Sequence, residues 1–122
     1  MKSLILSLTL LLGSIITTFV TAQSVLKNET VKVWGNCETC KKHIEKAAKS
    51  AGASTASWNE ESKELQLSYN SLKTSSQKIQ QSIANAGYDT RDFKGKKSAY
   101  NKLDKCCRYD RKGAETPEKI KL

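Results

Sequence analysis

The central part of the chain, from residue 29 to residue 93, switches between two hydrophobic periodicities. Over residues 29–35 polar and apolar positions alternate, so that Val31 and Val33 share one face, which predicts a half-buried strand. Around residues 38–50 the apolar positions instead recur at i, i+3, i+4 and i+7, while lysine and glutamate fill the other face. That spacing predicts an amphipathic helix, joined to the strand by a short Gly-Asn turn.

The same two patterns return in the next part of the chain. Residues 54–58 and 63–69 alternate on either side of a polar turn and predict a β-hairpin. A second apolar stripe predicts a helix that ends at Gly87, and residues 88–93 are predicted to form a short last strand. The order strand, helix, hairpin, helix, strand predicts an α+β fold, the ferredoxin-like βαββαβ sandwich, in which an antiparallel sheet carries both helices on one face.

The first 22 residues have the pattern of a targeting segment. Lys2 precedes an uncharged apolar run, and small residues stand just before Gln23, which indicates a signal peptide cleaved after Ala22. A retained membrane anchor is the alternative, because the run approaches the roughly 20 apolar residues that span a bilayer. Cleavage is favoured, since serine, threonine and glycine dilute the run. The sequence therefore predicts a periplasmic or secreted protein.

Past the predicted last strand the chain becomes basic and poor in apolar residues. Residues 98–105 are predicted to form a short helix that lays Tyr100 and Leu103 on the domain, whereas residues 113–122 are predicted to be disordered. The predicted organisation has four segments: a signal peptide over 1–22, an N-terminal lead over 23–28, the folded domain over 29–94 and a basic C-terminal extension over 95–122.

The net charge of +9 at neutral pH would suit a nucleic acid or an anionic membrane surface. Export from the cytoplasm argues against a nucleic-acid partner, and contact with a membrane is expected only through the signal peptide.

Four cysteines in a small exported domain would ordinarily form two structural disulfides, but here they form two tight pairs. Cys37 is predicted in the strand-to-helix loop and Cys40 in the first helical turn, so that both sulfurs can converge on one ion. The helix N-terminus and the lysines that follow would favour the thiolate form. Thiolates select soft ions such as Cu(I), Zn(II) or Hg(II). A Cys37–Cys40 disulfide without metal is the alternative.

The second pair, Cys106 and Cys107, is predicted to fold back and complete a three- or four-sulfur site. The alternatives are a vicinal or external disulfide, or two spare thiols. His43 lies three residues after Cys40 and is a candidate additional ligand, although a histidine at such a position is more often simply solvated.

The loop 35–40, Gly-Asn-Cys-Glu-Thr-Cys, together with Ala-Gly-Tyr at 86–88 after the second helix, resembles the heavy-metal-associated domain family over about residues 29–93. The double cysteine near the end resembles an exported bacterial subgroup of that family. The family includes copper chaperones, modules of heavy-metal ATPases and a periplasmic mercuric-ion-binding protein. It usually carries methionine where this chain has Gly35, which leaves Trp34 as a candidate for packing there.

The resemblance implies that Cys37 and Cys40 bind a soft metal ion, with Cu(I) favoured and Zn(II) or Hg(II) as alternatives. It also implies a carrier that receives and donates the ion by thiolate exchange with a protein partner such as a metal transporter, and no enzyme activity. The alternative is a thiol–disulfide redox protein using the same two cysteines. Against it, the one proline, Pro117, lies in the tail and cannot face the pair. A disulfide-stapled structural domain is a third interpretation.

Overall fold

The computed structural model describes residues 25–112, and its centre is a three-stranded antiparallel sheet in the order β1-β3-β2. The elements are β1 (Leu26–Lys32), α1 (Glu38–Ser50), β2 (Ala53–Trp58), β3 (Glu64–Asn70), α2 (Ser76–Asn85), α3 (Lys97–Tyr100) and a 3₁₀ turn (Lys105–Cys107). The predicted first helix has the observed bounds. β1 begins earlier than predicted, inside the segment expected to be the N-terminal lead. The predicted signal peptide over 1–22 and the predicted disordered segment over 113–122 lie outside the described residues.

The core lies between one face of the sheet and the two long helices. In β3 the alternating residues Leu65 and Leu67 are buried while Glu64 and Gln66 are exposed, as the period of two requires. The apolar stripes of α1 and α2 cover the buried face, and their isoleucines belong to the same core cluster as these leucines. The ferredoxin-like α+β fold is therefore confirmed.

The predicted last strand over 88–93 is reduced to a single bridge between Thr90 and Val33. The segment does lie along the free edge of β1, since Arg91 N donates to Lys32 O at 2.8 Å. It cannot continue as a strand because the chain turns after Thr90, whose hydroxyl accepts from the Phe93 backbone N–H at 3.1 Å. Side-chain hydrogen bonds of this kind compete with a sheet ladder.

The C-terminal extension packs on the domain more deeply than expected. The predicted helix over 98–105 is divided into α3 and the 3₁₀ turn. Tyr100 and Leu103 are only half-buried against the core, whereas Cys107 and Tyr109 belong to it. We refer to residues 97–112 as the strap. Within residues 25–112, no helix combines the length and the apolar character needed to cross a membrane.

Candidate metal centre

Three sulfurs meet at the N-terminus of α1. The Sγ atoms of Cys37, Cys40 and Cys107 all lie within 4.8 Å of one another. Cys37 Sγ is 3.4 Å from Cys40 Sγ and 3.7 Å from Cys107 Sγ. Sulfurs bonded at about 2.3 Å to one ion lie roughly 3.8–4.6 Å apart, depending on the coordination geometry. The three side chains therefore fit a single thiophilic ion after small adjustments.

The loop before α1 brings the first two sulfurs together. Cys37 is the N-cap residue in an extended conformation, and Cys40 lies in the first helical turn with its side chain fully buried. Gly35 lets the loop approach the core closely, because a Cβ atom there would lie 3.0 Å from the Trp58 ring and 3.2 Å from Cys40 Cβ. The Trp58 ring therefore packs beside Gly35, and Trp34 is partly buried against the same core.

The electrostatic environment distinguishes the three thiols. Partial burial opposes ionisation of Cys37, but hydrogen bonds from the Cys40 backbone N–H and from neighbouring thiols hold the pKa of Cys37 below its ordinary value. Burial raises the pKa of Cys40, whose S–H donates to Asn36 Oδ1 at 3.1 Å. Burial and hydrogen bonds with the thiols of Cys40, Cys37 and Cys106 raise the pKa of Cys107 well above the ordinary range. Cys37 is thus the thiol best prepared to capture a cation.

His43 is not among the groups that form the three-sulfur cluster. Its Nδ1 lies 2.9 Å from the hydroxyl of Tyr88, which is itself fully buried. Burial, together with the Cys40 and Cys107 sulfurs, raises the pKa of that hydroxyl far above its ordinary value. The Tyr88 hydroxyl is thus neutral and able to form hydrogen bonds beside the site. The role of His43 as a ligand stays a prediction.

The strap holds Cys107 in place through Tyr109, which sequence reasoning did not identify as a site residue. The Tyr109 hydroxyl donates to Gly87 O at 2.6 Å and accepts from Asp89 N at 2.8 Å. Its ring stacks on Tyr88, with centroids 5.6 Å apart and planes at 17°. Gly87 has a φ of +104°, and a Cβ there would lie 2.8 Å from Tyr100 N, so the close approach of the strap requires glycine. An isolated aromatic residue in a polar tail was the only sequence signal for this contact.

A buried ion pair fastens the strap beyond Tyr109. Arg111 Nη2 donates to Asp89 Oδ1 at 2.7 Å, and the Lys112 backbone N–H donates to Asp89 Oδ2 at 2.8 Å. Burial alone would raise the pKa of Asp89, but these bonds and one from Gly95 N hold it below its ordinary value. Tyr109 and Arg111 follow Cys107 closely in the chain and anchor the strap to the domain. These contacts hold the Cys107 sulfur near the N-terminus of α1.

Cys106 is placed differently from the other three cysteines. Its side chain is exposed, and its sulfur lies 3.8 Å from Cys107 Sγ, outside the three-sulfur cluster. Three of the four cysteine sulfurs thus lie together and Cys106 lies at their rim, while the number of sulfurs that bind an ion stays a prediction. All four cysteines are free thiols.

Comparisons with known proteins agree with the fold of the domain that carries Cys37 and Cys40. The sequence pattern of the family described as "Heavy-metal-associated domain" matches residues 26–89. A solved structure of "CopZ metallochaperone" is similar, with 27% identity and a TM-score of 0.50, over 52% of this chain and 98% of that chain. Oxidized MerP from Ralstonia metallidurans CH34 is similar with 28% identity and a TM-score of 0.51, over 53% of this chain and 93% of that one. A search of curated proteins found no significant match.

Proposed function

Since the chain belongs to the heavy-metal-associated domain family, we propose that it is a carrier that binds a soft metal ion and passes it to a protein partner. The observation that carries this proposal is the convergence of Cys37, Cys40 and Cys107 at one end of α1. Two of these sulfurs come from one short loop and the third comes from the strap. No catalytic role is part of the proposal.

Cu(I) is the favoured ion, with Hg(II) and Zn(II) as alternatives. Thiolates select soft ions, and a site of three protein sulfurs satisfies Cu(I) or Hg(II) without further ligands. Zn(II) prefers four ligands in a tetrahedron and would need a fourth donor here. The similarity to a protein described as a metallochaperone supports a metal-carrying role.

The unequal burial of the three sulfurs indicates how the ion is transferred to a partner. Cys40 and Cys107 are fully buried, whereas Cys37 is partly exposed at the mouth of the site. An incoming thiolate can bond to the ion at the Cys37 side before the inner sulfurs release it, so no free ion is formed. The backbone N–H groups at the start of α1 stabilise the negative charge that gathers there. The proposed partner is a donor or acceptor of the same ion, such as a metal transporter.

The experiment for this proposal combines native mass spectrometry of anaerobically purified protein with X-ray absorption on the metal-loaded form. We expect one ion per chain bound by three sulfurs. Cys107→Ser should leave two sulfurs and weaken binding by about 100-fold, because one metal–sulfur bond is lost. Lys102→Ala, an exposed change in the same strap, should alter neither value. Disulfides only, with no ion bound after reduction and reconstitution, would favour the thiol–disulfide alternative.

Export is also part of the proposal and rests on the apolar first 22 residues. The protein is expected outside the cytoplasm with Gln23 as its first residue. Mass spectrometry of protein recovered from the periplasmic and external fractions checks the new N-terminus. Recovery of a chain that still carries Met1 from the cytoplasm alone would contradict export.

A further inference from the structure

Of the two adjacent cysteines, Cys107 is buried and Cys106 is exposed to solvent. The exposed thiol of Cys106 has no role in the carrier function as described so far. We propose that Cys106 is an exchange thiol, a transient ligand that passes the ion between a partner's sulfur and the three-sulfur site. The proposal rests on the carrier function and names the route by which the ion reaches that site.

Burial restricts where an exchange can start. Cys40 and Cys107 are fully buried, so a sulfur of another molecule cannot contact theirs while the strap is in place. Cys37 is partly exposed, and Cys106 is the most exposed of the four cysteines. The ion must therefore pass Cys37, Cys106 or both.

The distance between the neighbouring sulfurs permits a shared ion. Cys106 Sγ lies 3.8 Å from Cys107 Sγ, and Cys107 Sγ lies 3.7 Å from Cys37 Sγ. Two sulfurs that bind one ion at about 2.3 Å lie at most roughly 4.6 Å apart. An ion held first by Cys106 can thus bond to Cys107 and then to Cys37 without leaving sulfur ligands.

The backbone fixes this division of roles. The two cysteines end a 3₁₀ turn, in which Cys107 N donates to Asp104 O at 2.8 Å. The Arg108 side chain holds the turn from outside by donating to Leu103 O at 3.3 Å. The turn leaves Cys106 exposed and Cys107 buried, with their sulfurs still 3.8 Å apart. With Cys107 buried against the core, Cys106 must face solvent.

The step is a ligand exchange without oxidation or reduction. Cys106 forms a bond to the ion and releases its thiol proton to water, while one partner sulfur leaves the ion as a thiolate and takes up a proton. Bonds from Cys107, Cys37 and Cys40 then replace the bond to Cys106 and the bond to any partner sulfur still on the ion. Each incoming thiol that carries a proton releases it to water, and Cys106 and the departing partner sulfur each take one up. The charge state of the ion is the same throughout.

The test is the rate at which the anaerobic full-length mature chain takes up Cu(I) supplied as its glutathione complex, followed by stopped-flow absorbance of the copper–sulfur bands. Cys106→Ser should load about tenfold or more slowly, since access of the attacking sulfur limits such exchanges. X-ray absorption should still count three sulfurs in the loaded variant. A second variant, Cys106→Ser with Lys49→Cys, restores an exposed thiol at the far end of α1 and should remain slow.

Three results would overturn the proposal. The first is an unchanged loading rate in Cys106→Ser. The second is a sulfur count that falls from four to three, which would make Cys106 a resident ligand. The third is full recovery of the rate by the distant cysteine. A wild-type chain that binds no Cu(I) at all would overturn the carrier function itself, whereas the three results above leave that function standing.

Discussion

Cys37→Ser is expected to lower the affinity for a soft ion at least ~100-fold, because one of three metal–sulfur bonds is lost. Binding energies of about 10–16 kcal/mol for four-ligand zinc sites correspond to roughly 3 kcal/mol per ligand. Cys37 also lies between the other two sulfurs and is the thiol whose pKa is lowered, so its loss removes the sulfur of the cluster that ionises most readily. Competition against a chelator of known affinity, with anaerobic protein, measures the change.

The matched control is Thr39→Ser, which changes the same loop without removing a sulfur. It should bind the ion as tightly as the wild type. Cys40→Ser should lose affinity to a similar extent but is a less clean variant, because Cys40 is fully buried in the core and the change also lowers stability. Wild-type affinity in Cys37→Ser, with circular dichroism showing an intact fold, would exclude this cysteine as a ligand.

A steep pH dependence of binding is the second large effect that we expect. The pKa values of Cys40 and Cys107 are raised, so both carry protons at neutral pH and must release them when the ion binds. Each released proton changes the apparent affinity about tenfold per pH unit, so two give roughly 100-fold per unit. Binding should therefore strengthen as the pH rises from 6 to 8 and weaken as it falls.

Chelator competition at several pH values, using a chelator whose own pH dependence is known, gives the number of protons released. Cys107→Ser is the informative comparison, since it removes one of the two thiols with a raised pKa. Its slope should be smaller than that of the wild type by about one proton. Equal slopes in the two proteins would show that Cys107 does not bind the ion.

The parts of the fold that the sequence predicted well are those determined by neighbouring residues. α1 has its predicted bounds because Gly35 and Asn36 precede it and Gly52, with a φ of +105°, follows it. The hairpin follows from alternation over a few residues on each side of one turn. The Cys37–Cys40 pair was identified for the same reason, since its spacing at a helix start is a local pattern.

The parts that were missed depend on contacts between residues far apart in the chain. The last strand stops at one bridge because Asp89 and Thr90 use their side chains to bond backbone N–H groups of the following turn. The strap is held by the buried Asp89–Arg111 pair and by the Tyr109 hydroxyl, and hydrophobic periodicity contains no signal for polar contacts of that kind. These contacts also determine that Cys107, and not Cys106, faces the core. The sequence alone therefore could not decide between the two cysteines.

The approach of Cys107 to Cys37 has a consequence for the unfolded chain. The two residues are 70 positions apart, so an ion bound to both closes a long loop, as a disulfide between them would. In the chain-entropy description a loop of that length restricts the unfolded ensemble by about 4 kcal/mol. The bound ion therefore acts as a reversible cross-link: while it is held, the strap is tied to the first helix by metal–sulfur bonds, and when it departs that cross-link is released.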